Sequence, residues 1–258
     1  MRKRKIYIIL SVTVLALAVL TFVIIASLSG SSFREAKNPE YYTKGVEINN
    51  GEVVGYTGDD RTVIIPAKYS GRDVVGIADG AFSSKNIEAV YIPDTVRYIG
   101  ENAFSNNPKL KTIRIGSQIE KVGPGAFDKT SWINGKNGAV YVGKVLYCFI
   151  GDIKGGFYEI KEDTVSIAEN AFAGNLSLNK IILGINTEVI GTGAFKDCEN
   201  LSEIVAGNKL HTVGENCFKN TAWFSAQDEG EVFLGKILYQ YKGEMPDSYT
   251  CIIPEGAV

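Results

Sequence analysis

The feature that most constrains the fold is a short motif that returns along the chain every 22 or 23 residues, with one gap of 45. Each copy ends in Phe, and the residue before it is Ala or Cys. The phenylalanines are Phe82, Phe104, Phe127, Phe172, Phe195 and Phe218. Periods of this length are typical of solenoids, in which each repeat forms one coil and buries its apolar side against its neighbours.

Two further columns accompany each Phe. The position five residues before it is Ile or Val, and the position four before it is Gly or Ala. An inward Ile or Val and an inward Phe would fill the core of each coil, while the small residues would let the next coil approach. We therefore predict that the six phenylalanines form the structural core of the repeat.

A Leu-x-x-Ile-x-Ile pattern follows the Phe of each complete unit. After Phe104 it comprises Leu110, Ile113 and Ile115. This alternation predicts a short strand with inward apolar residues, lying beside the same strand of the neighbouring coil. The predicted fold class is a β-rich repeat solenoid with short helical or irregular turns.

The 45-residue gap belongs to a longer repeat. Two similar segments lie 92 residues apart, GAVYVGKVLYCF (138–149) and GEVFLGKILYQY (230–241). A Gly-Lys pair between alternating apolar runs predicts a β-hairpin with a two-residue turn. The alternative makes Phe149 and Tyr241 degenerate members of the Phe column. It would place Lys144 and Lys236 in the buried Ile/Val column, so the hairpin is favoured.

Four tyrosines of these hairpins are candidates for ligand contact: Tyr141, Tyr147, Tyr239 and Tyr241. Packing between the two strands of each hairpin would explain them structurally. A partly exposed strip of tyrosines that contacts a protein or a glycan is the functional alternative.

The N-terminal end predicts export. Residues 1–5 contain four basic residues and form a predicted cytoplasmic end, and residues 6–28 carry no charge. As a helix of about 34 Å, this run could cross an apolar bilayer core of about 30 Å. We predict a transmembrane signal anchor, with a cleaved signal peptide as the alternative. The basic residues then place the C-terminal part outside the plasma membrane, or the chain is secreted if the segment is cleaved.

The rest of the chain divides into a linker and the solenoid. Residues 29–44 are polar and are predicted to form a flexible linker. Residues 45–258 are predicted to form the solenoid. A further step of 45 residues after Phe218 would pass residue 258, so the solenoid is expected to stop inside a repeat.

Few residues could carry chemistry. His211 is the only histidine and lies at an outward repeat position between Leu210 and Thr212, which argues against a His-based triad and leaves no multi-histidine metal site. Cys148, Cys198, Cys217 and Cys251 match no zinc or redox spacing. We interpret them as small buried hydrophobes, with a single disulfide left open. We predict no catalytic site, no metal site and no cofactor.

The charge of the exported part argues against two classes of partner. The chain has 27 Lys and Arg against 29 Asp and Glu, and four of the basic residues precede residue 6. The remainder therefore carries a formal net charge of −6. Such a mildly acidic segment disfavours binding to nucleic acid or to anionic lipid.

The repeat resembles a known family. Residues 87–104, IEAVYIPDTVRYIGENAF, are similar to the unit of the BspA-like, or Treponema-type, leucine-rich repeats: Leu-x-x-Ile-x-Ile-Pro, then Val-x-x-Ile-Gly, then x-x-Ala-Phe. The resemblance covers about 46–258. It implies a leucine-rich-repeat solenoid on a bacterial surface, and some members are adhesins for host matrix proteins or other cells. The family has no shared catalytic motif.

This resemblance and the predicted anchor together suggest a function. We expect a membrane-anchored extracellular module that recognises a protein or a glycan and is not an enzyme. A passive surface stalk that presents a further C-terminal domain is the alternative, because it would use the same anchor and the same extended fold.

Overall fold

A computed structural model describes residues 42–245. The fold is a leucine-rich-repeat type β-solenoid of about seven turns, which confirms the predicted solenoid. The predicted membrane segment, nearly all of the linker and the end of the chain lie outside the described residues. Among residues 42–245, no helix is long and apolar enough to cross a membrane.

The strands are short. In chain order they are β1 (Val46–Asn49), β2 (Glu52–Tyr56), β3 (Thr62–Ile64), β4 (Lys68–Tyr69), β5 (Arg72–Asp73), β6 (Gly76–Ile77), β7 (Ala89–Tyr91), β8 (Tyr98–Ile99), β9 (Thr112–Arg114), β10 (Lys121–Val122), β11 (Gly138–Val142), β12 (Val145–Ile150), β13 (Phe157–Glu159), β14 (Ser166–Ile167), β15 (Lys180–Ile182), β16 (Val189–Ile190), β17 (Glu203–Val205), β18 (Thr212–Val213), β19 (Gly230–Leu234) and β20 (Ile237–Lys242). The helices are α1 (Ser131–Asn134), α2 (Ala222–Ser225) and a 3₁₀ turn (Lys154–Gly156).

The Leu-x-x-Ile-x-Ile segments form one set of parallel ladders. Strands β3, β7 and β9 make one three-stranded sheet, and β13, β15 and β17 make another. Equivalent residues of neighbouring coils are in register, as in the pairs Val90–Ile113 and Ile181–Ile204. The predicted strand with its inward alternation is therefore confirmed.

The Ile/Val column forms a second set of ladders that the sequence patterns did not predict. Strands β2, β6, β8 and β10 are neighbours in one sheet, and β12, β14, β16 and β18 are neighbours in another. Ile77 pairs with Ile99, and Ile167 pairs with Ile190. Most of these strands have two residues, which is too short for a periodic signal in the sequence.

The six phenylalanines are each at most 1% exposed. Their rings stack along the axis of the coils with nearly parallel planes. The centroid distances are 5.1 Å for Phe82–Phe104 and 5.5 Å for Phe104–Phe127. They are 5.1 Å for Phe172–Phe195 and 5.5 Å for Phe195–Phe218. This ladder of rings joins successive coils through the core.

Each coil turns sharply on both sides of its Phe. The residue two before Phe has a positive φ in every unit: Gly80, Asn102, Gly125, Asn170, Gly193 and Asn216. Gly and Asn are favoured there because most other L-residues are strained in this region. This column explains a part of the motif that packing alone leaves unexplained.

The described residues contain four hairpins, of which β1–β2, β11–β12 and β19–β20 divide the solenoid, while the short pair β4–β5 lies within the first coil. We call the part from β1 to α1 (46–134) the first stack, and the part from β11 to α2 (138–225) the second stack. Each stack begins with a hairpin, continues as coils and ends in a short helix. The hairpin β19–β20 follows the second stack. In it and in β11–β12 the Gly-Lys pair forms the predicted two-residue turn.

The sequence predictions treated the hairpin and membership of the Phe column as alternatives. The structure contains both. The ring of Phe149 stacks on Phe172 at 5.5 Å, and its N–H donates to the Ala171 carbonyl at 2.7 Å. Lys144 stays out of the buried column because Leu146 pairs with Ile167. Strand β12 is therefore both the second strand of a hairpin and part of a coil.

Strand β12 also separates two hydrophobic cores. Val145 and Tyr147 pack into the core of the first stack. Leu146 and Phe149 pack into the core of the second stack. The same strand thus contributes side chains to both stacks, which joins them into one solenoid.

Both terminal helices begin at a threonine. The side chain of Thr130 accepts the N–H of Ile133, and the side chain of Thr221 accepts the N–H of Phe224. Thr at this position is a favourable N-cap. In the coil just before each helix, the position three residues after the Phe holds Asn107 or Cys198 instead. A change to Thr at this position therefore accompanies the end of each stack.

Candidate interaction surfaces

Two of the four candidate tyrosines point into the solenoid. Tyr147 is buried, its ring meets Phe127 edge-on at 5.4 Å, and its hydroxyl accepts the Phe127 N–H at 3.4 Å. Burial raises the pKa of Tyr147 to about 12. Half-buried Tyr239 repeats this arrangement on Phe218, whose N–H it accepts at 3.1 Å. These two residues end the ring stacks, and Tyr147 is too buried to contribute to an exposed strip.

Tyr141 is half-buried at the start of the second stack. Its hydroxyl lies 3.2 Å from that of Tyr158 and accepts the Lys161 N–H at 3.3 Å. The Lys161 ammonium lies 4.1 Å from the centre of the Tyr141 ring. Burial, followed by the hydrogen bond to Tyr141, raises the pKa of Tyr158. The ring of Tyr141 is thus already engaged by a cation of its own chain.

Tyr241 lies on β20 opposite Glu231 and is half-buried. It has the place in its hairpin that Phe149 has in β11–β12. The four tyrosines therefore do not form a common strip: Tyr147 and Tyr239 complete two cores, while Tyr141 and Tyr241 lie on different hairpins. Whether Tyr141 or Tyr241 contacts a ligand stays a prediction.

The groups that could carry chemistry are dispersed. His211 is exposed, with Nε2 at 3.9 Å from Glu188 Oε2. Within residues 42–245, no group of three or more His, Cys, Asp or Glu is placed to hold a metal ion. The described cysteines are free thiols; Cys198 and Cys217 are buried and Cys148 is half-buried. Burial raises the pKa of Cys148 and of Cys198 to about 11, which suits packing better than nucleophilic chemistry.

The outer face of the sheet β13-β15-β17 exposes apolar side chains. Phe157 is 45% exposed, Val205 is 41% exposed and Ile185 is 61% exposed. Ile182 is half-exposed and lies directly beside Val205 on the neighbouring strand. Ile185 lies in the turn after β15, where its backbone runs past Gly207 of the next coil. We call Phe157, Ile182, Ile185 and Val205 the second-sheet patch.

Two corresponding positions of the first stack are polar. Thr112 has the repeat position of Phe157, eight residues after the ring in the Phe column, and Arg114 has the position of Ile182. The Arg114 guanidinium lies 5.6 Å from the centre of the Tyr91 ring. The second-sheet patch was not predicted from the sequence, because the predictions used only the inward columns. The signal was present as Phe and Ile at outward positions of a strand whose alternation was already known.

Comparisons with known proteins agree with this fold. The family model of the BspA type leucine rich repeat region matches in six copies, over 72–137 and 146–227. This is more than half of the chain, and the protein therefore belongs to the BspA-type leucine-rich repeat family. No curated protein sequence matches the chain significantly. Leucine-rich repeat proteins are generally modules that bind protein ligands.

Several solved structures are similar to the chain. A leucine-rich repeat protein of T. pallidum has 22% identity and a TM-score of 0.42, covering 72% of this chain and 88% of that one. A leucine-rich repeat protein of Bacteroides ovatus has 22% identity and a TM-score of 0.33, covering 81% and 58%. A leucine-rich cell surface protein of Faecalibacterium prausnitzii has 16% identity and a TM-score of 0.31, covering 69% and 80%.

Proposed function

We propose that this protein is a membrane-anchored extracellular recognition module that binds a protein partner through the second-sheet patch and serves cell-surface adhesion without catalysis. The observation that carries the proposal is the exposure of Phe157, Ile182 and Val205 on the outer face of one sheet, with Ile185 exposed in the turn after β15. Clustered apolar side chains on a soluble surface are typical of interaction sites.

The chemistry of this patch suits a protein partner better than a glycan. Ile182 and Val205 lie side by side in one outward row, and Phe157 lies in the next row beside Lys180, which pairs with Glu203 at 2.5 Å. Apolar side chains next to paired charges resemble the usual composition of protein interfaces. The outer positions of β13, β15 and β17 are held in register by the ladder, so little order has to be gained on binding.

The location rests on the N-terminal sequence. The uncharged run 6–28 after four basic residues supports a retained anchor with the solenoid outside. The test is expression of the full chain with a C-terminal tag in bacterial cells, followed by protease treatment of intact spheroplasts and fractionation. We expect the tag to be cleaved from outside and the intact chain to sediment with membranes. Recovery of a shortened chain in the medium would contradict the anchor and would indicate a cleaved signal peptide.

The binding proposal is tested with the full chain in detergent against an array of purified extracellular-matrix proteins. The key variant is Phe157→Glu, and the matched control is Thr112→Glu at the same repeat position in the first stack. Both sites are exposed on a strand, so both variants should keep the melting temperature of the wild type. We expect saturable binding to at least one matrix protein that Phe157→Glu weakens by about tenfold or more, equivalent to about 1.4 kcal/mol, and Thr112→Glu leaves unchanged.

Two results would contradict this proposal. Equal affinities of wild type and Phe157→Glu would remove the second-sheet patch from the interface. Absence of saturable binding by a chain that melts cooperatively would favour the passive stalk, whose surface needs no specific ligand. Phe195→Ala serves as the control for a disrupted core, because it removes a ring that is buried in the stack.

A further inference from the structure

A groove of about 910 Å³ lies over the outer face of the sheet that contains β2, β6, β8 and β10 in the first stack. Its polar lining side chains are Glu52, Asp79, Arg97, Tyr98, Glu101, Glu120 and Lys121. We call it the Tyr98 groove. It lies on the other set of ladders from the second-sheet patch, so the proposed protein interface does not use it.

An aromatic ring is held in one place on the floor of this groove. The outward positions Glu52, Gly76, Tyr98 and Lys121 lie side by side on four neighbouring strands. The Tyr98 ring crosses over Gly76, where an added Cβ would lie 1.9 Å from its Cζ. The Tyr98 hydroxyl donates to Glu52 Oε1 at 2.9 Å. Burial, followed by this hydrogen bond, raises the pKa of Tyr98.

Hydrogen-bonding groups of both kinds surround the ring. Asp79 Oδ1 accepts a backbone N–H of the next coil at 2.7 Å. Glu120 pairs with Lys144 at 3.3 Å, and Arg97 Nη1 donates to Gln118 Oε1 at 3.1 Å. These contacts fix the side chains, and each planar group keeps further acceptor or donor sites for a ligand. The lining is therefore preorganised and polar.

The balance of charge in the groove narrows the class of ligand. Four carboxylates face two basic side chains, and an excess of negative charge disfavours anionic ligands. A ligand with several positive charges is also disfavoured, because two basic side chains line the groove and Glu120 already pairs with Lys144. A neutral polyhydroxylated ligand meets neither obstacle, because hydroxyl groups both donate to carboxylates and accept from guanidinium and ammonium groups.

We propose that the Tyr98 groove binds a neutral oligosaccharide. The aliphatic face of one sugar ring packs on the exposed face of Tyr98, and hydroxyl groups on either side donate to the free oxygens of Glu52, Asp79 and Glu101. Polar groups that fix the orientation of a ligand are a usual part of small-ligand sites. The volume of about 910 Å³ is at the upper end of the common range, which favours an oligomer over a single sugar.

The second stack provides a natural comparison. Val189 has the repeat position of Tyr98, and Ser166 has that of Gly76. The Ser166 hydroxyl is already used, because it donates to the Glu120 carbonyl at 2.7 Å. The described part of the second stack therefore has no ring at this position of its ladder, and the site is specific to the first stack.

The test is isothermal titration of the full chain, in a detergent without a sugar headgroup, with neutral glucan, mannan and galactan oligosaccharides. A sulfated oligosaccharide and a lysine-rich peptide form two further arms. Tyr98→Ala removes the ring, and Gly76→Ala introduces a Cβ that displaces it. Val189→Ala is the matched control in the second stack. Thermal melts establish that each variant is folded.

We expect saturable binding of a neutral oligosaccharide that Tyr98→Ala weakens by about tenfold or more, equivalent to about 1.4 kcal/mol. Gly76→Ala should weaken it to a smaller extent, and Val189→Ala should leave it unchanged. The proposal would be overturned if only the peptide or the sulfated ligand bound, or if no oligosaccharide bound. It would also be overturned if an oligosaccharide bound with an affinity that did not depend on Tyr98. Phe157→Glu should have no effect here, so this proposal and the protein-binding proposal fail separately.

Discussion

The first and second stacks have the same interior and different exteriors. Both begin with a hairpin, stack phenylalanine rings about 5 Å apart, and end at a threonine-capped helix. On the outer faces, Tyr98 of the first stack corresponds to Val189 of the second, and Thr112 corresponds to Phe157. Packing with the neighbouring coils fixes the inward columns, whereas the outward columns are free to differ. The functional information therefore lies in the outward columns.

The equivalence of the two interiors is tested most strongly by removing one ring from each stack. Phe104 and Phe195 are both fully buried and have a stacked ring on either side. We expect Phe104→Ala and Phe195→Ala each to lower the free energy of unfolding by about 3–5 kcal/mol, measured by urea denaturation. A loss below about 1 kcal/mol in either variant would show that its ring is not part of a packed column.

The boundary between the stacks is tested through the pH dependence of stability. Burial raises the pKa of Tyr147 to about 12, above the value of about 10 in an unfolded chain. The contribution of Tyr147 to the free energy of unfolding is therefore complete below pH 10 and is lost as the pH rises from 10 to 12. At pH 11 the wild type should have lost about 1.4 kcal/mol relative to Tyr147→Phe.

The measurement is urea denaturation of both proteins at pH 8 to 11. The other titrating groups occur in both proteins and cancel in the difference. A constant difference between the two proteins over this range would contradict the burial of Tyr147 at the boundary.

The turn before each Phe allows a matched comparison of backbone strain. Gly125 and Gly193 have φ values of 63° and 62°, and an added Cβ would lie 2.5 Å from Asn102 Oδ1 or Asn170 Oδ1, respectively. We expect Gly125→Ala and Gly193→Ala each to cost about 1–2 kcal/mol, measured by urea denaturation. Replacement by Asn should cost less, because Asn occupies the same column in other coils. An Ala variant as stable as the wild type would contradict the left-handed turn.

The ends of the two stacks offer the smallest expected effect. Thr130 and Thr221 each cap a four-residue helix and donate to the Phe carbonyl three residues earlier, at 2.7 and 2.8 Å. We expect Thr130→Ala and Thr221→Ala each to cost about 1 kcal/mol, measured as a shift of the urea midpoint. Equal shifts would show that the two stacks are equivalent at their ends as well as in their interiors. A shift in only one variant would show that the ends of the two stacks differ.

The interior was predictable because apolar columns repeat with a fixed period. The inward Ile113 and the turn between Val142 and Val145 followed from alternation and from the Gly-Lys pair. The ladders of two-residue strands were not predictable, since two residues are too few to give a periodic signal in the sequence. The double role of Phe149 was missed because β12 shortens the distance between the Ile/Val and Phe columns.

Prediction of the candidate sites from the sequence was less successful. A tyrosine on a hairpin can face either the solvent or a core, and only the alternation along β12 together with the adjacent coil places Tyr147 inside. The position of Tyr98 depends on the absence of a side chain at Gly76 on the neighbouring strand. Such a pair is recognisable only when the register of the ladder is known.

Strand β12 belongs to a hairpin and to a coil at once, and thereby joins the two stacks into one solenoid. This double role is tested by amide hydrogen exchange of the full chain, followed by mass spectrometry. We expect peptides covering 145–149 to be protected as strongly as those covering 189–195, because the Phe149 and Phe195 N–H groups donate to the next coil at 2.7 and 3.0 Å. Rapid exchange in 145–149, with the two stacks opening at different rates, would contradict it.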